Sequence, residues 1–298
     1  LLERIKKNEI LPQFTSCCPA WVKFVEHYYP DLIPYLSTAK SPHQMLGATI
    51  KAFYAEKYGT TAEKIVNVSV MPCTAKKFER QRAEMNSNDG LMDVDFILTT
   101  RELATMIRKT AIDFASLPDE EFDSLAQGSG AGDIFGATGG VMEAALRTAY
   151  EVQTGNKLNK LEFDQIRGLQ GVKEGHIKMD GKEVWFAVVS GLNNVKPIIE
   201  EVLAGKSKYH FIEVMTCPGG CIGGGGQPIP TNQEIVEKRM HGIYASDKNK
   251  AIRRSYENPQ IKALYSEFFG NPLSEKAEKY LHTHFIKRGK YNKSSKEK

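Results

Sequence analysis

No stretch of about 18 apolar residues, the length a spanning helix needs, occurs in the 298-residue sequence, so no membrane span is expected. Neither sign of charge dominates: 40 Lys and Arg against 36 Asp and Glu leave a net charge of +4. That balance gives no reason to expect a nucleic-acid partner. Much of the excess comes from the basic end, residues 287–298, expected to be a disordered tail. The first residue is Leu1 and no signal-peptide pattern follows it, so the chain is expected to begin inside a longer product. Cysteine is scarce: five residues, an odd number, do not suit a disulfide framework. A structural zinc site usually shows paired Cys-x2–4-Cys hooks, and a single hook is present.

The cysteines that are present all lie in short motifs bearing Pro or Gly. Cys17 and Cys18 precede Pro19, Cys73 follows Pro72, and Cys217 and Cys221 sit in the loop from Met215 to Pro228. Six of that loop's fourteen residues are glycine, so it cannot pack a core. It can bring backbone N–H groups close to something bulky and anionic. Four thiolates drawn from distant loops complete a 4Fe–4S cube. Cys73, Cys217 and Cys221 plus one of Cys17 and Cys18 make four, and the remaining thiol is free to give and take a proton. Spacing alone does not say which of the adjacent pair does which. On a helix beginning at Pro72, Cys73, Lys76 and Glu79 share a face. Lys76 there would offset the charge of an anionic cofactor, or belong to a solvated charged face. Met71 and Met215 each stand two residues before a cysteine and read equally as core.

The chain alternates strand and helix patterns. Strands are expected at residues 65–71, 94–98, 184–189 and 210–215, the first of them buried. Thr15 or Ser16 is expected to cap a helix with Pro19 in its first turn. A long amphipathic helix is expected from Ser41-Pro42 to Tyr58, ended by Gly59, and a capping box at Thr99 and Glu102. Phe135 to Gly140 is a second glycine-rich turn, opening a helix over 141–152, and the segment 113–132 reads as loop. Helices are further expected at 195–203, 232–240, 258–269 and 274–282. The fold class is therefore α/β: two lobes with mostly parallel sheets flanked by helices, and a helical C-terminal extension. Cys73 and Cys217 each follow a strand end, so a cofactor is expected in the crevice between the lobes.

Thr15-Ser-Cys-Cys-Pro-Ala-Trp21, Met71-Pro-Cys-Thr-Ala-Lys-Lys-Phe-Glu79 and Glu213-Val-Met-Thr-Cys-Pro-Gly-Gly-Cys-Ile-Gly-Gly-Gly-Gly-Gln-Pro228 resemble, in order, the three signature motifs of iron-only (FeFe) hydrogenases. Leu36 to Pro42 and Ile134 to Gly140 extend the resemblance. It implies an H-cluster, a 4Fe–4S cube joined through one cysteine sulfur to a 2Fe unit with CO, cyanide and dithiolate-amine ligands. The cube ligands it implies are Cys18, Cys73, Cys217 and Cys221, with Cys221 the bridge. Cys17 is implied as the proton-relay thiol, Ser37 as a further step of the proton path, and Lys76 as the contact to a cyanide. Pro42, Met71, Phe135, Gly136 and Met215 are implied in the 2Fe pocket. The activity implied is reversible reduction of protons to H2.

The same resemblance divides the chain into a catalytic domain at 1–230, its start missing, and a small-subunit-like extension at 231–286. The proton path's two glutamates are not matched, and His43 stands where many relatives carry glutamine. Upstream accessory Fe–S clusters have no ligands in this chain. The partners implied are ferredoxin or NAD(P)H-oxidising hydrogenase subunits, and maturation proteins that insert the 2Fe unit. The setting implied is cytoplasmic, with periplasmic as the alternative. A sensory hydrogenase and a non-catalytic relative used in Fe–S assembly are the other readings. Cys17, Met71 with Lys76, and the complete Gly-Gly-Cys-Ile-Gly-Gly-Gly-Gly-Gln-Pro loop favour the enzyme.

Overall fold

The computed structural model describes residues 1–7, 9–87, 90–120 and 127–290. Its larger sheet has the strand order β1 (Gln13–Phe14), β6 (Phe211–Met215), β5 (Lys182–Ser190), β4 (Val172–Met179). β1 and β5 pair with β6 in parallel, and β4 pairs with β5 antiparallel. Side chains alternate between the faces of a strand. Ala187 and Val189 of β5 join Ile212 and Val214 of β6 on one face, with Trp21 and Val25 of helix Pro19–Tyr28 and Ile199 of helix Leu192–Leu203. Phe186, Val188 and Phe211 occupy the other face, with Met142 and Leu146 of helix Gly140–Thr154. The sheet is covered on both faces, as the α/β reading requires.

The smaller sheet pairs β2 (Val68–Met71) with β3 (Phe96–Thr99) in parallel, Met71 opposite Thr99. The strand pattern at 65–71 suggests burial, but ordered pairing begins at Val68, and Val66, Val68, Val70 and Phe96 are exposed. Helix Thr100–Lys109 and the short helix Lys76–Glu79 pack beside these two strands, and the face bearing Val68, Val70 and Phe96 stays exposed. The helix starts at Thr99 with the expected capping box.

One further expectation is corrected, and two details go beyond what was expected. Neither Thr15 nor Ser16 caps helix Pro19–Tyr28; Cys18 holds the N-cap position without a side-chain bond. The Thr15 hydroxyl instead accepts the Val214 N–H at 3.1 Å, and Ser16 donates to the Ala39 carbonyl at 2.7 Å, so both stitch the cysteine motif to its neighbours. The helix from Pro42 to Tyr58 contains a π-turn at Ile50–Tyr54 before Gly59 ends it at φ 62°. Residues 172–179, a segment of Lys, Glu and His alternating with apolar groups, form an edge strand. The turn joining it to β5 has Asp180 at φ 47° and Gly181 at φ 80°.

The C-terminal region runs through helices Gln233–Asn249, Pro259–Leu264 and Glu275–Leu281. It returns to the start of the chain. Phe268 meets Phe53 edge-on at 5.4 Å, and the Thr283 N–H donates to the Thr38 carbonyl at 2.8 Å. The guanidinium of fully buried Arg147 holds Asp247 through two bonds of 2.8 Å and Glu143 at 2.6 Å, tying helix Gly140–Thr154 to helix Gln233–Asn249. Most of the expected basic tail, 291–298, lies outside the described residues. No helix among the described residues is long and apolar enough to cross a membrane.

Candidate metal centre

The cysteines arrive from three elements. β2 ends at Met71 and hands the chain to Pro72 and Cys73; β6 ends at Met215, two residues before Cys217; Cys18 stands at the N-cap of helix Pro19–Tyr28. Both strands thus deliver a cysteine from their carboxyl ends, where sites form in α/β folds. The helix after Cys73 spans Lys76–Glu79 rather than starting at Pro72, because residues 72–75 form the turn that carries the thiol.

The two cysteine loops are locked together by backbone. The Gly226 N–H donates to the Pro72 carbonyl at 3.0 Å, and a Cβ on Gly226 would stand 2.9 Å from the Cys73 nitrogen. Arg101 adds a clamp: its N–H donates to the Gly226 carbonyl at 2.9 Å, and its guanidinium donates to the carbonyls of Gly225 at 2.8 Å and Gln227 at 3.0 Å. Gly219 and Gly220 turn at φ 77° and 90°, and a Cβ on Gly220 would lie 2.6 Å from the Thr138 nitrogen. The loop glycines therefore serve contact with the Cys73 loop and with the Phe135–Gly140 turn.

Each of the five thiols feels at least one other: burial raises Cys17, and Cys18 and Cys221 add to that shift while Lys76 opposes it. Burial pushes Cys221 up to about 12, and Cys18, Cys73 and Cys217 each add to that shift while Lys76 opposes it. Burial likewise raises Cys73 and Cys217, and each feels Cys18. The Cys18 thiol donates to the Thr216 hydroxyl at 3.3 Å. Among the described residues no three Cys, His, Asp or Glu side chains are arranged around one ion. In a cube each corner iron takes its own thiolate, so the ligands stand apart.

Cys17 also faces a cavity of about 230 Å³, which it lines together with Ser37, Pro42, Phe135, Lys40 and Met45. Ser37 accepts the Ala39 N–H at 3.2 Å. Met71, Gly136 and Met215 are not part of this lining. Met215 is buried in β6, Met71 is half-buried at the end of β2, and a Cβ on Gly136 would press on Ile243 at 2.8 Å.

Two buried lysines near the site differ in one respect. Lys40 donates to the Met85 carbonyl at 2.6 Å, to Asp93 at 2.8 Å and to Ser87, which uses all three N–H bonds of its ammonium. Lys76 donates to the Cys17 carbonyl and to Glu79, both at 2.9 Å, so its third N–H has no protein partner among the described residues. Burial works against the Lys76 charge, but Glu79 outweighs it and holds the pKa above the ordinary lysine value. Burial also works against Glu79, and there Lys76 and His43 outweigh it and bring the carboxyl down to about 2. Lys76 and Glu79 are thus a buried ion pair rather than a solvated helix face.

A second buried pair backs the site and carried a faint signal in the sequence, a carboxylate inside the apolar strand Phe211–Met215. Glu213 accepts the N–H groups of Gly139 and Met142 at 2.7 Å each, at the positive end of helix Gly140–Thr154. Lys173 donates to the Thr138 carbonyl at 3.0 Å and the Gly168 carbonyl at 2.8 Å, and burial lowers its pKa to about 8 against the pull of Glu213. Together they hold the Phe135–Gly140 turn against β6.

Residues 1–225 match the family model described as iron only hydrogenase large subunit, C-terminal domain, and residues 233–288 match iron hydrogenase small subunit. The chain is 52% identical over 283 residues to the NADP-reducing hydrogenase subunit HndD of Solidesulfovibrio fructosivorans, covering 94% of this chain and 48% of that protein. It is 43% identical over 294 residues to iron hydrogenase 1 of Clostridium pasteurianum, covering 96% of this chain and 51% of that protein. The chain spans about half the length of these curated relatives. The solved structure of an apo FeFe-hydrogenase HydA1 variant from Chlamydomonas reinhardtii superposes with a TM-score of 0.84 at 42% identity, covering 97% of this chain and 80% of that one.

Proposed function

This chain belongs to the iron-only hydrogenase family, and on that premise we propose that it is an H-cluster domain catalysing the reversible reduction of protons to H2. The observation that carries the reading is the gathering of five thiols from three elements in one electrostatic neighbourhood, with Cys17, which feels Cys18 and Cys221, also lining a cavity. The residues suit the cofactor. Four thiols satisfy a cube, the glycine loop gives close backbone approach, and Lys76 keeps a buried N–H without a protein partner. When bound, the H-cluster supplies an open metal position for the reaction and a cube that passes electrons.

The roles proposed for the chain follow. Cys18, Cys73, Cys217 and Cys221 would hold the cube, and Cys221 would also be the protein's ligand to the 2Fe unit. Cys17 Sγ carries the proton, and Ser37, in the wall of the same cavity, continues the path toward solvent. Lys76 donates its third N–H to a cyanide ligand. Pro42 and Phe135 bound the cavity and exclude water, while Met71, Gly136 and Met215 support the pocket from behind its wall. Electrons come from ferredoxin or from NAD(P)-linked hydrogenase subunits, the latter supported by the likeness to an NADP-reducing hydrogenase subunit. Maturation proteins supply the 2Fe unit, and the setting is cytoplasmic. A sensory or assembly role is less well supported, because Cys17, Lys76 and the complete glycine loop are all in place.

The test is infrared spectroscopy of the parent protein after loading with cube and 2Fe precursor. Bands of metal-bound CO and cyanide are expected; an intact cube without them would overturn the reading.

A further inference from the structure

One carboxylate oxygen behind the candidate cyanide contact serves three donors. Oε2 of Glu79 accepts the Lys76 ammonium at 2.9 Å, the Ser41 hydroxyl at 2.9 Å and Nε2 of His43 at 2.6 Å. All four side chains are buried. The two added donors come from the start of helix Pro42–Thr49, the helix that also lends Pro42 and Met45 to the Cys17 cavity. Among the described residues His43 makes one side-chain bond, to Glu79, and its buried Nδ1 has no partner. The ring's hydrogen bonding there is donation to Glu79. Burial lowers the His43 pKa, and the Lys76 ammonium adds to that shift against the pull of Glu79.

We propose that His43 is a positioning residue that, through Glu79, aims the third N–H of Lys76 at the 2Fe unit. The proposal rests on the reading of Lys76 given above. An oxygen that accepts only Lys76 could swing with that side chain, since both are long and flexible. Bonds from Ser41 and His43 anchor the carboxylate to a second element, and the ammonium is then held between Glu79 and the Cys17 carbonyl. Two fixed bonds on a tetrahedral ammonium leave one direction for the third N–H. The His43 ring thus sets the strength and direction of a bond to a ligand it does not touch.

The test compares cyanide infrared bands of the loaded full chain with those of Lys76→Met, His43→Leu and His43→Gln. Lys76→Met is expected to move the bands beyond their width. His43→Leu, which removes the donor, is expected to move them the same way by a smaller amount. His43→Gln, which restores an N–H donor, is expected to return them toward the parent position. Movement in Lys76→Met with none in His43→Leu overturns the positioning role and leaves the Lys76 reading standing. No movement in Lys76→Met overturns that reading and the proposal with it. If His43→Leu fails to take up the cube, Ser41→Ala removes a donor from the same oxygen and is read by the same rule.

Discussion

Gly226 and Pro72 meet backbone to backbone: the Gly226 N–H donates to the Pro72 carbonyl at 3.0 Å, and a Cβ on Gly226 would lie 2.8 Å from the Pro72 carbonyl carbon. This contact joins the loop of Cys73 to the loop of Cys217 and Cys221, which are 144 residues apart at their nearest cysteines, by the numbering 217 minus 73. The close approach of the two loops requires glycine at 226, because a Cβ there would press on the Pro72 and Cys73 backbone.

Gly226→Ala is therefore expected to abolish or severely reduce cube assembly, read as iron and sulfide content and the visible absorbance of the anaerobically reconstituted chain. Its neighbour provides the control. A Cβ on Gly225 would find only the Thr74 hydroxyl at 3.6 Å, an ordinary contact, so Gly225→Ala should assemble normally. Equal behaviour of the two variants would remove close approach as the reason for glycine.

The division of thiols makes opposite predictions for adjacent residues. Cys17→Ala should retain the cube and lose H2 production by at least about 100-fold, the lower end for a positioned proton donor. Cys18→Ala should lose the cube itself. Iron content and H2 evolution together separate the outcomes, and loss of iron in Cys17→Ala would reverse the assignment.

Arg147→Leu should destabilise the fold by about 3–5 kcal/mol, the cost of breaking a buried pair from one side. It removes the guanidinium that Glu143 and Asp247 share; Glu143 keeps Arg167 at 2.7 Å, and Asp247 keeps Arg253 at 2.6 Å and Arg167 at 4.0 Å. Urea denaturation measures the loss. Hydrogen exchange should show faster opening of helix Gln233–Asn249, since Asp247 is its anchor to helix Gly140–Thr154.

The buried ammonium of Lys173 predicts a pH signature. Its pKa is lowered by burial to about 8, against an ordinary value of 10.5. Between those values the unfolded chain binds the proton and the folded chain has released it, so this group makes stability rise with pH across that window. Below about 8 both states are protonated and the penalty of burying the charge is paid in full. The difference in stability between the parent and Lys173→Met should accordingly rise from pH 8 to 10.5; a flat difference would contradict the burial of a charged Lys173. The variant difference, and not the parent curve, is the measurement, because it cancels the other groups that titrate in both proteins.

Much of the site was legible because its signals are local. A cysteine after a strand, proline at a helix start and glycine where the chain turns need only a few adjacent residues to be recognised. The helices, β3 with its capping box and the delivery of Cys73 and Cys217 from strand ends follow from such signals. The edge strand Val172–Met179 was not legible, because Lys173 and Gly175 occupy buried positions while Val172 is exposed, so no apolar alternation shows, and its pairing depends on β5. The exposure of Val68 and Val70 was not legible either, because an apolar pattern states what can be buried and not what covers it.

The sequence by itself determined the chemistry available: five thiols in three motifs, a glycine loop, a lysine three residues after Cys73, and through these the family. Tertiary structure alone decided how the charges are arranged. That Lys76 is an ion-paired, incompletely bonded ammonium while Lys40 is saturated depends on Glu79, Cys17, Met85, Ser87 and Asp93. That Glu79 answers to His43 spans 36 positions in the chain. The physical reason is that covalent neighbours set backbone conformation, whereas desolvation and hydrogen-bond partners depend on which distant elements exclude water from the same point.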